Sequence, residues 1–249
     1  MWTHHTVHVA PAPRVQEPHS VLPLPAAVGA VVVLAISLIA SRVLLDQLVR
    51  FDWSIVIYAS ISVLVGYGPS VWWCLYAADR WGSGDRRTDL GLRFRWSDLG
   101  WGPLVWVTAV FCELVVATLI TVFNVPFTSN TEGIGELELD RTYVITLLVT
   151  AVIAAPIVEE MIFRGLMLRG LLSRMSAWLA VGVQGVLFGA VHVDPVRGMG
   201  NIGLVLVLTA VGIVFGGAAY LLRRIGPTIL AHAILNAVVM VVVLFVDVN

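Results

Sequence analysis

Two adjacent carboxylates and a guanidinium lie within an apolar stretch of the chain. The stretch is Pro156–Gly165, and it contains Glu159, Glu160 and Arg164. A charge at the centre of a membrane helix costs about 2.5 to 3.5 kcal/mol on insertion scales, so such residues are functional-site candidates. On a helix, Glu160 and Arg164 share one face, whereas Glu159 points about 100° away from Glu160. Arg164 can therefore neutralise Glu160, which leaves Glu159 free for proton transfer.

Two further apolar segments carry polar side chains that complement the glutamates. His192 lies at the end of one segment, and His232 and Asn236 lie four residues apart on one helix face of another. The other four histidines all fall within the first twenty residues. Histidine exchanges protons near neutral pH and an amide donates hydrogen bonds. We interpret these residues and the paired carboxylates as one shared site.

The composition explains why these charges matter. The chain has 249 residues, of which 59% are hydrophobic and 12% are charged, with a mean hydropathy of +0.92. These values predict an all-α polytopic membrane protein in contact with the lipid bilayer. The net charge of −1 gives no electrostatic basis for nucleic-acid binding. Cys74 and Cys112 both lie in apolar segments, where small hydrophobic residues are expected, and they indicate no disulfide framework.

Seven apolar runs are long enough to be membrane-spanning candidates. They cover residues 21–45, 53–78, 102–124, 142–172, 177–192, 201–222 and 227–246. The fourth run is longer than a bilayer requires, and the fifth is at the short limit. We therefore predict about seven transmembrane helices.

The distribution of arginine predicts the orientation of these helices, because short cytoplasmic loops collect positive charge. The second, fourth and sixth connections are rich in arginine, whereas the third is acidic, with Glu132, Glu136, Glu138 and Asp140. This alternation predicts an N-terminus inside and a C-terminus outside the cell. Arg42 and Arg50 do not fit the pattern, because they flank the first connection on its predicted outer side.

The rise of a helix allows the heights of the candidate residues to be compared. If the fourth and fifth spans form a hairpin that turns near residues 174–176, Glu159 and His192 both lie roughly 25 Å from the turn. His232 lies only about 9 Å from the start of its span by the same rise. The heights agree if the turn after Arg164 projects into the cytoplasm. The site would then lie in the cytoplasmic half of the membrane.

The spacing of these residues resembles the CAAX-protease and bacteriocin-processing family of intramembrane proteases, which includes the Ras-converting endopeptidases. The three family motifs are Glu-Glu-x-x-x-Arg, Phe-x-x-x-His and His-x-x-x-Asn. They match Glu159, Glu160 and Arg164, then Phe188 and His192, then His232 and Asn236. The resemblance covers about residues 145–240. We predict a flexible tail over residues 1–20, a variable part with about three spans over 21–141, and a catalytic core with about four spans over 142–249.

The resemblance implies cleavage of a peptide bond in a membrane-embedded or lipid-anchored peptide or protein. Glu159 would act as general base on a water molecule that His192 helps to hold, and His232 and Asn236 would stabilise the oxyanion. Glu160, Arg164 and Phe188 would support the site. The resemblance names no substrate, and a CAAX tail is excluded as the target in a cell without protein prenylation.

Dependence on a metal stays open at this stage. His192, His232 and Glu159 form a ligand set that Zn²⁺ accepts. The sequence lacks the His-Glu-x-x-His helix of the zincins, however, and asparagine is a poor zinc ligand. A metal-independent glutamate mechanism is equally compatible with these residues.

Two other classes of function are compatible with the same polar residues. A proton-coupled transporter also uses glutamate, histidine and arginine within the membrane, and Glu113 in the third span would extend such a relay. The chain shows no repeated halves, which argues against this class. A non-catalytic immunity or regulatory factor would share the family motifs without cleaving a substrate.

Overall fold

The computed structural model describes residues 22–132 and 141–245, with the side chains up to residue 244. The predicted flexible tail of residues 1–20 lies outside the described residues, as do Glu136, Glu138 and Asp140 of the acidic connection. Helices account for the regular structure throughout the described ranges, where no strand occurs. The all-α prediction is therefore confirmed.

We number the helices of the described ranges in chain order. They are α1 (Leu24–Phe51), α2 (Ile55–Trp81), α3 (Arg86–Asp89), α4 (Asp98–Val122), α5 (Arg141–Leu172), α6 (Ala177–Ala190), α7 (Asn201–Leu222) and α8 (Gly226–Phe245). The last turn of α1 is a 3-10 turn, and a 3-10 segment, Pro195–Gly200, directly precedes α7.

Six of these helices are long and apolar enough to cross a bilayer, and α6 is the shorter apolar helix beside them. This agrees with the prediction of about seven helices in an integral membrane protein. With 14 residues, α6 is about 21 Å long, which is less than the roughly 30 Å of a hydrocarbon core. The helix ends before the predicted residue 192 because Pro195 disfavours helical conformation at the residue before it, and Asp194 is extended.

Helix α5 lies at the centre of the bundle. All seven residues from Met161 to Met167 are buried, and α5 packs against α1, α2, α7 and α8. Two π-helical segments, Val149–Ala154 and Met161–Met167, interrupt its α-helical hydrogen bonding, and a third, Ser62–Tyr67, interrupts α2. Such segments rotate the side chains that follow them and often occur at functional sites.

Glycines allow α6 and α7 to approach each other closely. A Cβ atom added to Gly212 would lie 2.9 Å from the Cα of Gly185, and one added to Gly189 would lie 2.6 Å from the carbonyl oxygen of Val205. Side chains at these positions would push the two helices apart. Gly217 lies further along α7 and faces open space, so it plays no such part.

The arginine-bearing connections meet at one end of the bundle. Arg169 donates hydrogen bonds to the carbonyl oxygens of Thr88 and Arg223, and Arg224 forms an ion pair with Asp98. The second, fourth and sixth connections therefore lie at the same end. This arrangement agrees with the alternation of charge on which the predicted orientation rests.

Candidate active site

Glu160 and Arg164 form the buried ion pair that their spacing predicts. Arg164 Nη1 lies 2.7 Å from Glu160 Oε1, and both side chains are fully buried. Arg164 Nη2 also donates to the carbonyl oxygen of Gly212 at 3.3 Å. The guanidinium is 4.4 Å from the ring centre of Phe188 and 5.3 Å from that of Phe215. The charge is therefore balanced by a carboxylate, a carbonyl dipole and aromatic faces.

Glu159 has a hydrogen-bond partner that sequence reasoning missed. The hydroxyl of Tyr67 on α2 donates to Glu159 Oε1, with 2.5 Å between the oxygens. The expectation that this carboxylate is free is therefore wrong for Oε1. Glu159 Oε2 is buried and has no hydrogen-bond partner among residues 22–132 and 141–244. The two oxygens of one carboxylate thus have different surroundings.

His192 lies beside Glu159, as the predicted hairpin of the fourth and fifth spans requires. Its Nε2 is 4.0 Å from Glu159 Oε2, and its Nδ1 is 2.7 Å from the carbonyl oxygen of Phe188. Because a carbonyl only accepts hydrogen bonds, Nδ1 carries the ring hydrogen in this contact. The Nε2 lone pair then faces Glu159.

His232 approaches the same carboxylate oxygen from α8. Its Nε2 is 3.9 Å from Glu159 Oε2, and its Nδ1 is 3.1 Å from Glu160 Oε1. The ring packs between Phe188 and Phe215, with centroid distances of 5.9 and 5.6 Å. Glu160 thus holds both Arg164 and His232. This contact connects the ion pair to the rest of the site.

These contacts bring three hydrogen-bond acceptors together. With hydrogen on both Nδ1 atoms, the Nε2 atoms of His192 and His232 are acceptors, and so is Glu159 Oε2. The distances of 3.9 and 4.0 Å are too long for direct hydrogen bonds. If a water oxygen lies about 2.8 Å from both atoms of such a pair, the two atoms subtend an angle of about 90° at that oxygen. This angle is close to the angle between the two O–H bonds of water. The arrangement suits a water molecule that donates to two of the acceptors.

Asn236 makes its described contact outside this cluster. Its Nδ2 donates to the carbonyl oxygen of Ala151 at 2.7 Å. Ala151 lies in the first π-helical segment of α5, about 12 Å along the helix from Glu159 at the standard rise. This hydrogen bond uses one of the two amide hydrogens of Asn236. The predicted role of Asn236 at the oxyanion therefore depends on the second hydrogen.

Each π-helical segment supplies one contact of the site. Tyr67 lies in the segment Ser62–Tyr67, the carbonyl of Ala151 in Val149–Ala154, and Arg164 in Met161–Met167. Sequence reasoning missed Tyr67 and Phe215 because no motif or local spacing distinguishes them from other aromatic residues in the spans. A tyrosine next to a glycine pair in an apolar run, as in Gly66-Tyr67-Gly68, was the nearest available signal.

The predicted zinc ligands have suitable chemistry but wide spacing. Ligands of a tetrahedral zinc lie about 2.0 to 2.1 Å from the metal and hence about 3.3 to 3.4 Å from one another. In the part of the chain that the structure describes, no group of three or more histidine, cysteine, aspartate or glutamate side chains is close enough to hold a metal ion. The donor types fit zinc, and their spacing as described does not.

Residues 141–238 match the family model of the type II CAAX prenyl endopeptidase Rce1-like proteins. The chain contains an Rce1-like domain. The match overlaps the resemblance drawn over about residues 145–240 and includes every motif residue from Glu159 to Asn236. At the level of the family, the Rce1-like domain is that of a CAAX-type intramembrane endopeptidase. Comparisons with curated proteins and with solved structures gave no match.

The Rce1-like domain begins at the start of α5, so α1, α2 and α4 lie outside the match. Tyr67 nevertheless reaches Glu159 from α2. Glu113 on α4 lies elsewhere, in a cavity of about 580 Å³ between α4 and α7. The other residues of that lining are Ala117, Ile120, Thr121, Asn124, Val125, Phe127 and Val207. Glu113 and the histidines of the Rce1-like domain therefore do not share this cavity.

Proposed function

We propose that this protein is an intramembrane endopeptidase in which Glu159 activates a water molecule to hydrolyse a peptide bond. One observation carries the proposal. The Nε2 atoms of His192 and His232 face the same oxygen, Glu159 Oε2, at 4.0 and 3.9 Å. The Nδ1 atoms of both rings are held by other groups, so the two imidazoles present acceptors to the same small space.

In the first step, the water donates its hydrogens to Glu159 Oε2 and His192 Nε2. Glu159 Oε2 takes one proton as the water oxygen forms a bond to the carbonyl carbon of the substrate. The π electrons of the carbonyl move to its oxygen, which becomes the oxyanion of a tetrahedral intermediate. Because the proton passes to Glu159, the attacking oxygen is a hydroxide in effect.

The oxyanion needs hydrogen-bond donors, and removal of one such donor typically lowers kcat by about 10² to 10³-fold. We assign this role to the second amide hydrogen of Asn236 and to His232, whose Nε2 changes from acceptor to donor when the ring takes up a proton from solvent. When the intermediate collapses, the carbon–nitrogen bond breaks and Glu159 returns its proton to the leaving amine. The immediate products are a carboxylic acid and an amine, and Glu159 is again ionised. The second proton of the water then passes from the acid to the amine, which leaves a carboxylate and an ammonium group.

Glu160 and Arg164 support this chemistry without taking part in proton transfer. Glu160 Oε1 contacts both Arg164 Nη1 and His232 Nδ1, at 2.7 and 3.1 Å. The carboxylate therefore fixes the orientation of the His232 ring, while Arg164 compensates its charge. Phe188 supplies the carbonyl that holds His192 and a ring face for Arg164.

The environment of the site indicates the class of substrate. Glu159, Glu160 and Arg164 are buried within a helix that is itself long and apolar enough to cross a membrane. A substrate must therefore present its peptide bond at the membrane. We propose a membrane-embedded or lipid-anchored peptide, with a prenylated CAAX tail as the first class to test because of the family match.

The test uses the full chain in lipid nanodiscs with two synthetic peptides. One peptide carries a farnesylated cysteine followed by three residues, and the other has the same sequence without the prenyl group. We expect mass spectrometry to detect cleavage and, in H₂¹⁸O, one ¹⁸O atom in the new carboxylate. Cleavage of the farnesylated peptide alone would support a prenylated substrate, and equal cleavage of both would support another lipid-anchored or membrane-embedded one.

The other functional classes predict no cleavage of either peptide, and a transport assay in proteoliposomes separates them from each other. A regulatory factor would leave both peptides intact. A proton-coupled transporter would leave them intact and would acidify proteoliposomes in a manner that depends on Glu159. Either result would contradict the proposed hydrolysis.

A further inference from the structure

Tyr67 lies outside the Rce1-like domain and forms a hydrogen bond with its candidate base, Glu159. The tyrosine lies at the end of the π-helical segment of α2, and residues 141–238 of the family match do not include it. Its hydroxyl donates to Glu159 Oε1 at 2.5 Å, which is at the short end of hydrogen bonds between oxygens. The contact joins residues that are 92 positions apart in the chain.

The local backbone explains why Tyr67 can reach this position. The π-helical segment Ser62–Tyr67 inserts one residue relative to an α-helix, so the side chains after it rotate by about 100°. Gly66 is buried and packs against Ser41 of α1, which anchors the segment. Tyr67 itself packs against the hydrophobic core. The backbone of the segment and the side chain of Tyr67 therefore both have packing contacts in addition to the hydrogen bond with Glu159.

The hydrogen bond to Tyr67 makes the two oxygens of Glu159 unequal. A glutamate side chain has three rotatable bonds, and its carboxylate can present either oxygen to a neighbour. Oε1 is taken by Tyr67, so Oε2 is the oxygen that faces Nε2 of His192 and of His232. The histidines are about 4 Å away, so Tyr67 is the group within hydrogen-bond distance of Glu159 among the described residues.

We propose that Tyr67 is a positioning residue that orients the carboxylate of Glu159, so that Oε2 accepts the proton of the attacking water. The proposal rests on the proposed function, because it assigns a partner to the base of that reaction. Tyr67 does not touch the substrate in this scheme and acts through Glu159 alone. The first spans thus contribute to catalysis, although the family match begins after them.

The first experiment compares Tyr67→Phe with wild type in nanodiscs, using whichever peptide the wild-type protein cleaves. We expect kcat to fall by about ten- to a hundred-fold, in line with the loss of a hydrogen bond to a charged group, while KM changes less than two-fold. Tyr76→Phe is the matched control, because Tyr76 lies on the same helix and stacks on Trp72 at the surface. This control should retain the wild-type kcat.

A double-mutant cycle separates positioning from a structural role. If Tyr67 acts only through Glu159, Tyr67→Phe should change the residual cleavage of Glu159→Gln by less than two-fold. A structural role would lower the residual cleavage by the same factor as in wild type, and that result would overturn the proposal. Replacement of Tyr67 by 3-fluorotyrosine keeps the hydroxyl and should retain cleavage, which keeps the test valid if Tyr67→Phe folds poorly.

The outcomes also distinguish this proposal from the proposed function. If Glu159→Gln loses cleavage and Tyr67→Phe keeps the wild-type kcat, the positioning role is wrong and the base assignment stands. If Glu159→Gln cleaves as wild type does, the base assignment is wrong, and the role of Tyr67 fails with it.

Discussion

Glu160→Gln should lower the free energy of unfolding, although glutamine has nearly the same shape as glutamate. The substitution removes the negative charge that faces Arg164 at 2.7 Å, and both side chains have no solvent exposure. Breaking a buried ion pair by neutralising one partner costs about 3 to 5 kcal/mol, because the other charge stays buried. The Gly212 carbonyl and the ring of Phe188 still contact the guanidinium, so we expect about 3 kcal/mol.

Two other ion pairs of the chain provide matched controls. Asp98 and Arg224 form a mostly buried pair at the end of the bundle, with 2.5 Å between Oδ1 and Nη2. Asp98→Asn should therefore lower the free energy of unfolding by a similar amount. Asp79 and Arg86 are about half exposed, so Asp79→Asn should leave the free energy of unfolding close to that of the wild-type protein. Asp98→Asn and Asp79→Asn should keep the wild-type kcat per folded molecule, because neither pair touches the site.

The assay is reversible unfolding in mixed micelles with increasing SDS, followed by tryptophan fluorescence. The double variant Glu160→Met with Arg164→Met should be more stable than Glu160→Gln, because no charge stays buried without a partner. A Glu160→Gln variant that unfolds as Asp79→Asn does would refute the reasoning. So would a double variant that is less stable than the single one.

Three further predictions concern topology, metal and helix packing. A reporter fused after Arg174 should report a cytoplasmic location, and a reporter fused at Asn249 should report a location outside the cell. A cytoplasmic Asn249 would contradict the seven-helix topology and indicate that the short α6 does not cross the membrane. Because the ligand atoms are widely spaced, we expect cleavage to survive thorough removal of metal. The metal-free scheme would be contradicted if the purified protein held about one equivalent of zinc, lost it in His192→Ala, and stopped cleaving when chelators were added. Gly212→Ala should lower the free energy of unfolding by about 1 to 3 kcal/mol, because its Cβ would lie 2.9 Å from the Cα of Gly185. Gly217→Ala on the same helix should change the free energy of unfolding little. Equal thermal midpoints for the two variants would contradict this packing.

Local spacing was sufficient to predict part of the site. The separation of Glu160 and Arg164 by four residues fixes their shared helix face, and the ion pair follows from it. The hairpin of α5 and α6 places Glu159 and His192 together because both lie a similar number of residues from the turn. These two contacts depend only on helix geometry, so they can be predicted from the positions of the residues in the sequence.

Contacts between distant segments could not be predicted in this way. The hydrogen bond from Tyr67 to Glu159 depends on how α2 packs beside α5 and on a π-helical insertion without a sequence signature. The same holds for the bond from Asn236 to the Ala151 carbonyl, which uses one of the two hydrogens of an amide assigned to the oxyanion. The length of α6 was overestimated because apolar residues continue past Ala190, while Pro195 and the turn before it end the helix.

In the proposed mechanism, the carboxylate of Glu159 is the general base of a peptide hydrolysis. The most direct measurement is the cleavage rate of Glu159→Gln beside Glu113→Gln, which makes the same chemical change in a span outside the site. We expect Glu159→Gln to fold and insert normally while cleavage falls by about 10² to 10⁴-fold, and Glu113→Gln to cleave at the wild-type rate. Full cleavage by Glu159→Gln, or an equal loss in both variants, would contradict the account.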